Sequence, residues 1–513
     1  VPIFVLNLVR VLICISLISW APSLRAQGSP TDPGFLGIAQ ASYLGYSTQG
    51  AGARATGMGG AFIAVADDAT AASHNPAGLA QLRTFEASLV GSQRKADVLY
   101  TGAHPSGMVP NVDPADYSDS PFRGGTSRKL EFASFTMPGQ WSGKNFALQV
   151  SYQDLYDVDQ SFNNQTHVKF HASDVGNYPN GFPISDQQII TQTGGMKVLT
   201  LGAAMELSPR ILAGVAWNRW RGDSTYTSNF QSTQPYGGFN YDLYECSGRF
   251  RKSDRFSGEN FNLGLLWRYD PVQVGITCRT AFTANIDSSA VIQRQVDGSP
   301  FSPDTYASNF AVHWPSTLGI GISWRPASQG LVALDWSLTR WTRATIEAPG
   351  QPNNGQNFFQ LNADQDPYSS PFRFPGAADA AAWHLGGEYL LFLGSKIMPL
   401  RTGFFIEPMP CRDPWTGEVR ALKGFTLGTG IKSGQLSFDI AYKQARGSRQ
   451  ALVPVSPYYS VPRDFGTYYT TSLMAYGEAA KESITIHTIK ASIIYQFKGE
   501  GLRAFFRNVF IGS

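Results

Sequence analysis

From about Thr84 to Phe497 the chain alternates apolar and polar positions with a period of two, in short segments separated by breaks. In 261–269, Phe261, Leu263, Leu265, Trp267 and Tyr269 share one parity, while Asn262, Gly264 and Arg268 share the other. Leu318, Ile320, Ile322 and Trp324 oppose Thr317, Gly319, Gly321 and Ser323 in the same way. The pattern repeats in 331–339 and in 436–443, where Leu436, Phe438, Ile440 and Tyr442 oppose Ser437, Asp439 and Lys443. Period two places successive side chains on opposite faces of a sheet, so each segment predicts a strand with one greasy and one polar face.

The breaks are of two kinds. Tight ones fall at Ser208-Pro209-Arg210, Asp270-Pro271, 325–330, 393–396 and 432–435, each with the Pro, Gly or Ser that reverses a backbone at low cost. Long ones fall near 93–129, 159–194, 223–255, 287–315, 342–379, 407–422 and 447–483. Alternating tight and long connections predict an up-and-down antiparallel barrel, with turns on the periplasmic side and loops outside. Seven long loops imply fourteen strands, and the fold class is an all-β, 14-stranded transmembrane barrel. A soluble sandwich has no use for the directional asymmetry of the loops. A propeller would repeat every 40–50 residues or so, and no such period is visible.

Composition narrows the picture further. The 513 residues carry a formal charge of +3 with Lys and Arg scattered, so there is no electrostatic case for nucleic acid. After residue 20 no run of eighteen apolar residues occurs, as expected where only every second residue faces lipid. Residues 1–26 read as a secretory signal, with Arg10 before the apolar stretch Val11 to Trp20 and Ala26 at the cleavage position. Beyond it, Cys246, Cys278 and Cys411 are too widely spaced for a disulfide framework or a metal site. The barrel is expected over 84–497. The 498–513 tail mixes Leu502, Phe505, Phe506, Val509 and Phe510 with Arg503 and Arg507, which suits either a short interfacial helix or a frayed end.

Ahead of the first strand, 50–78 is dominated by Gly and Ala. Such a segment cannot build a core of its own, but its backbone can pack closely inside another structure. Fourteen strands enclose a lumen too wide for side chains to fill, so 27–83 is expected to plug it. A phosphate-cradling loop is excluded, because no Gly-Lys-Ser/Thr follows the glycines.

The run Gly57-Met58-Gly59-Gly60-Ala61-Phe62, followed by Ala66-Asp67-Asp68-Ala69 and Asn75-Pro76-Ala77, resembles the lumenal hatch of the FadL/TodX family of outer-membrane transporters for long-chain fatty acids and other hydrophobic compounds. Pro315 to Gly319, Asp335-Trp336, Trp341, Leu385 to Tyr389, Leu400 to Gly403 and Glu407-Pro408 are similar to the later strands of that family in order and spacing. The resemblance implies a monomer in the bacterial outer membrane that takes up hydrophobic small molecules. They would be captured at the outer loops and passed through a barrel gated by the hatch residues Asp67, Asp68, Asn75, Pro76 and Ala77. It implies contact with outer-membrane lipid, no cofactor and no metal. Two departures stand out. Family members carry a kinked third strand, often with glycine, whereas Asn145 to Asp157 contains none. Sixteen residues also follow Phe497, where the family ends on an aromatic residue.

A fatty acid offers an apolar chain and one carboxylate, so its site should combine greasy walls with a cation. Arg219 between Trp217 and Trp220 is similar in position to a ligand-contacting cation of the family, and Arg343 beyond Trp341 is a second candidate. Alternatively, either arginine pairs with a lumen carboxylate such as Asp335 or Glu388. The stretches 223–255 and 287–315 are rich in aromatics for outer loops, as a capture groove or as loop packing requires. Catalysis has no support, since neither Gly-x-Ser-x-Gly nor His-Glu-x-x-His occurs. Asp113, Asp116 and Asp119 lack the glycine and terminal Glu of a calcium loop. A second functional reading is a hatch-bearing barrel that serves a protein-secretion or attachment system, and a polar porin is a third. The fold predicts a protein extracted from outer membranes by detergent, whose gel mobility shifts on heating; recovery as a soluble periplasmic protein would contradict it.

Overall fold

The computed structural model describes residues 50–101, 117–119, 122–170, 182–235, 243–296, 298–300, 302–347, 355, 376–413, 416–452, 459–463, 467–471 and 479–497. The expected signal, 1–26, the first part of the plug, 27–49, and the 498–513 tail lie outside the described residues, as do Asp113 and Asp116 and the loop aromatics Tyr236, Phe239, Tyr241 and Phe301.

Fourteen strands run through the described residues: β1 (Phe85–Thr101), β2 (Phe122–Trp141), β3 (Lys144–Asp157, resuming as Gln160–Phe170), β4 (Phe182–Ser208), β5 (Ile211–Pro235), β6 (Leu243–Tyr269) and β7 (Val272–Arg279, then Phe282–Val296). They continue as β8 (Asp304–Trp314, then Thr317–Ala327), β9 (Gly330–Thr339), β10 (Ala380–Leu393), β11 (Lys396–Arg412), β12 (Val419–Ser433), β13 (Leu436–Leu452) and β14 (Ala479–Phe497). Each pairs antiparallel with its neighbours in sequence, and β1 closes on β14 in a register running from Phe85 opposite Phe497 to Thr101 opposite Lys481. Closure removes every sheet edge, which a bilayer demands because lipid offers backbone amides no partner. The tight turns gather at one end of the barrel. There Gly394 and Gly434 take φ of 61° and 59°, a conformation other residues adopt only at a cost.

The sequence alternation becomes an inside and an outside. Phe261, Leu263, Leu265 and Trp267 on β6 and Leu318, Ile320, Ile322 and Trp324 on β8 all project outward and are exposed, as are Leu427, Phe438 and Ile493 farther round. Glu86, Gln149, Ser151, Asn218, Asn260, Asp335, Glu388, Arg401 and Asp439 turn inward and are buried. Trp141, Trp267, Tyr269, Trp324 and Phe392 lie at or near the turn-side ends of their strands, where an aromatic girdle meets the headgroups. An apolar outer surface over a polar lumen is the arrangement of an outer-membrane barrel, and the bacterial outer membrane is where the chain resides. No described helix is long and apolar enough to cross a membrane.

The strands outrun the sequence reading on the loop side. Most of 159–194 and 223–255, expected as loops, is strand: β4 and β6 each hold 27 residues and β5 holds 25. A transmembrane strand uses about 9–11 residues, so more than half of each hairpin stands above the lipid. Outside hydrocarbon the outward face has no need to be apolar, so the alternation fades from the sequence while the ladder persists.

The described part of the plug, 50–82, fills the turn-side half of the lumen. It consists of a short helix, α1 (Ala53–Gly57), and 3-10 turns at Ala71–Ser73 and Pro76–Gln81. Its small side chains, with Met58, Phe62, Val65 and Leu79, pack against Leu212, Leu266, Leu331 and Ala333 of the wall. Two wall glycines make the close fit possible. A Cβ on Gly386 would overlap the Met58 carbonyl, and one on Gly264 would overlap the Asn75 side chain. Hydrogen bonds tie plug to wall around the circumference: Ala53 N donates to Ser492 Oγ (2.6 Å), Gly59 N to Thr426 Oγ1 (2.9 Å), and Phe62 N and Ile63 N both to Asp335 Oδ2 (2.6 and 2.8 Å). The Asn75 Nδ2 donates to Ile63 O and Leu265 O.

One ionic knot joins the two bodies. Arg54 of α1 bonds Glu388 through Nε and Nη2 (2.9 Å each) and Asp67 through Nη1 (2.5 Å). Arg401 on β11 holds the same Glu388 from the other side (2.6 Å) and Asp439 of β13 (2.6 Å). Removing one member of such a buried set strands the others, at a cost of about 3–5 kcal/mol. Arg54→Ala is therefore expected to lower the thermal midpoint and to raise the frequency of open events in planar bilayers, while deleting 27–83 gives a permanently higher conductance. Wild-type conductance from the deletion would mean that the segment does not block the pore.

Candidate functional site

The residues singled out in the sequence do not converge on one place. Trp220 is turned into the lumen and fully buried, but Arg219 is on the outward face with its side chain half exposed, 3.9 Å from Glu259 of β6. Trp217 shares that outward parity. Arg343 lies in a single 3-10 turn, Trp341–Arg343, after β9 and is exposed. The lumen carboxylates considered as partners for these arginines are engaged elsewhere, Glu388 with Arg54 and Arg401, and Asp335 with the plug backbone. The hatch residues all lie in the plug. Asn75 caps the Pro76–Gln81 turn by accepting from Ala77 N, while Asp67 and Asp68 face Arg54.

Above the plug the lumen opens into a chamber of about 160 Å³. One wall is ionic and comes from β1, β2, β3, β11, β13 and β14. Lys129 bonds Asp154 (2.7 Å) and approaches Asp157 (3.7 Å), Arg94 reaches Asp157 (3.4 Å), Lys443 bonds Glu407 (2.9 Å) and Lys490 bonds Glu131 (2.5 Å). Four cations meet four carboxylates, so this wall is polar without being net charged. Trp341, Met409, Leu422 and Ile486 supply apolar lining between them.

Beside the chamber stands a buried aromatic cluster, whose Trp341 reaches the chamber lining. Tyr156, Trp220, Phe282, Trp314 and Trp341 adjoin in a row across five elements, with ring centroids 5.9 Å apart for Tyr156 and Trp220, 5.3 Å for Trp220 and Phe282 and 6.1 Å for Phe282 and Trp314, all three stacked, and 5.5 Å for Trp314 and Trp341, edge to face. Phe256 packs beneath Phe282 and Trp314. Leu155 packs on this cluster and also lines the chamber. At the foot of the cluster, Arg279 of β7 reaches the Tyr156 hydroxyl and lines two smaller clefts beside the plug. Among the described residues, Arg279 has no carboxylate within 4 Å, unlike Arg54, Arg94, Lys129, Arg401, Lys443 and Lys490. Sequence reasoning missed it because β7 is short and interrupted. The available signal was parity, since Arg279 shares the inward face with Gly275 and Thr277. No group of His, Cys, Asp and Glu among the described residues is placed to hold a metal.

The barrel wall is interrupted beside this chamber. β2 and β3 pair from Trp141 opposite Lys144 to Phe132 opposite Gln153, and again at Phe122 to Gly124 opposite 161–163. Between them, 125–131 of β2 and 154–160 of β3 do not pair with each other, although each keeps its ladder to the strand on its far side, β1 or β4. β3 turns inward here, burying Tyr156, Asp157 and Val158 in succession. The third strand thus breaks from its neighbour without a glycine of its own. The permissive residue is on β4: Gly194, at φ 122°, accepts from Val158 N and donates to Asp159 Oδ1. The Lys129 and Arg94 links to Asp154 and Asp157 bridge the interruption.

No family model matches the sequence, and no curated protein does. Solved structures do. A Pseudomonas aeruginosa FadL homologue superposes over 88% of this chain and 100% of its own, with a TM-score of 0.55 at 12% identity. A deltaS2 mutant of the TodX monoaromatic hydrocarbon channel gives 0.51 at 12% identity over 88% and 100%. The Pseudomonas putida toluene transporter TodX gives 0.49 at 12% identity over 88% and 99%. At these identities the shared property is the fold, a fourteen-stranded barrel of the FadL type. Since 125–131 and 154–160 lack partners across the β2–β3 junction, those of their amides that point into it, rather than toward β1 or β4, are expected to exchange with deuterium at least tenfold faster than those of the flanking ladder. Asp157→Asn, which weakens the ionic bridge, is expected to accelerate them further; protection equal to the flanks would close the wall.

Proposed function

We propose that this barrel admits compact hydrophobic molecules across the outer membrane. They are held above the plug between the aromatic cluster and the ionic wall, and released sideways through the interruption between β2 and β3. The observation that carries the reading is Arg279, a lumen cation without a carboxylate partner at the foot of an aromatic surface. A half-buried cation with no carboxylate partner is completed by an anion, and the adjoining rings would hold the apolar body of such a ligand. Solved barrels of this fold include a channel named for monoaromatic hydrocarbons, which supports the same class of cargo. The sealed plug argues for lateral rather than axial release, since its backbone is bonded to the wall at Thr426, Asp335 and Ser492 and its Asn75 side chain at Leu265.

The assay is uptake of a labelled aryl carboxylate and of a neutral monoaromatic hydrocarbon by cells that carry each variant. A charge-assisted hydrogen bond is worth about 1.5–3 kcal/mol, or roughly 10- to 150-fold. Arg279→Ala is expected to depress saturable uptake of the carboxylate at least tenfold and to leave the hydrocarbon within twofold. Trp220→Ala is expected to impair both. If cells lacking the protein import both compounds at wild-type rates but fail to display a secreted partner on their surface, the secretion-partner reading replaces this one.

A further inference from the structure

The outward face carries a feature that a lipid-filled surroundings does not explain. Counted from the strand end at the tight-turn face, Lys95 of β1, Arg221 of β5, Arg340 after β9, Lys423 of β12 and Arg446 of β13 are each ten residues up, and Lys197 of β4 is eleven up. All six are exposed. Because a strand crosses the hydrocarbon in about 9–11 residues, these cations share one height, just past the outer edge of the apolar core. Directly beneath them lie the exposed Leu199, Leu201 and Val215 on one side of the barrel and Leu427, Ile440 and Ile406 on another.

Two pairs within this ring oppose like with like. Lys423 faces Arg446 across β12 and β13, and Lys197 faces Arg221 across β4 and β5. Like charges directly opposite on neighbouring strands destabilise a sheet. Carboxylates could relieve the repulsion, but no ion pair is made by Lys423, Arg446, Lys197 or Arg221 among the described residues. Asp154, which stands opposite Lys197 in the β3–β4 ladder, is taken up by Lys129 at the chamber wall, and Glu259 faces Arg219.

We infer that each pair is a binding site for the phosphate of an outer-leaflet glycolipid, whose acyl chains lie on the apolar residues below. The occupant is a lipid rather than free phosphate because the cations and the apolar row form one continuous surface. Two cations at one spot supply the charge-assisted contacts a phosphate dianion takes, and six at one height turn a scattered basic excess into a collar. This inference stands apart from the cargo proposal, since none of the six residues lines the lumen chamber.

The test uses the full chain in detergent, with native mass spectrometry reading adducts of added bis-phosphorylated lipid A, of its dephosphorylated form, and of the phosphorylated lipid competed with inorganic phosphate. Wild type is expected to retain at least two phosphorylated molecules, Lys423→Gln with Arg446→Gln to lose one, and the quadruple variant that adds Lys197→Gln and Arg221→Gln to bind at least tenfold more weakly. Heat-shifted mobility confirms that each variant is folded, as expected for exposed substitutions. Wild-type retention by the folded quadruple variant, equal binding of the dephosphorylated lipid, or displacement by equimolar inorganic phosphate would each overturn the inference.

Discussion

A backbone amide in hydrocarbon has no water to turn to, and this molecule is organised around that fact. The demand for complete pairing closes the sheet on itself through β1 and β14. Closure fixes a circumference, and the circumference leaves a lumen that fourteen rows of side chains cannot fill. The Gly- and Ala-rich segment 50–82 occupies the remainder of the turn-side half. Its smallness is a requirement of the wall as much as of the plug, since Gly386 and Gly264 must also give way. The ionic knot of Arg54, Glu388, Arg401 and Asp439 then joins two bodies that hydrophobic contact alone would let slide.

The same constraint gives meaning to the one place where it is relaxed. Between β2 and β3 a stretch of wall forgoes its ladder, and polar side chains take over the role of the backbone, with Lys129 and Arg94 reaching across to Asp154 and Asp157. Pairing by side chain is weaker and more easily exchanged than a ladder, and a wall that must part needs such a seam. The chamber borders this seam through Lys129, Asp154 and Asp157, and the aromatic cluster borders it through Tyr156.

The transmembrane part was legible in the sequence because lipid enforces the alternation. Leu318, Ile320, Ile322 and Trp324 on β8 could be assigned a face from their spacing alone. Above the lipid that enforcement ends, and β4 to β6 continued as strands where the sequence suggested loops. The plug could be read from its composition and from the Asn75-Pro76-Ala77 element. The lumen site was harder, because one residue of parity decides between inside and outside. Trp220 and Arg219 are neighbours in sequence yet face opposite solvents. The bend in β3 was hidden for another reason, since the glycine that permits it, Gly194, belongs to the adjacent strand. No local reading of Asn145 to Asp157 could have found it.

The register of β1 against β14 also orders events in time. Phe85 meets Phe497 across more than four hundred residues, so the seam that completes the cylinder joins the first strand to the last. Contacts this distant form late, after nearer hairpins have assembled. Seating of the plug waits on the same step, because Ala53 is held by Ser492 of that final strand. Until β14 arrives, the sheet is open and α1 lacks one of its anchors. The last strand therefore serves both the wall and the bore, completing the sheet through Phe85 and anchoring the plug through Ser492.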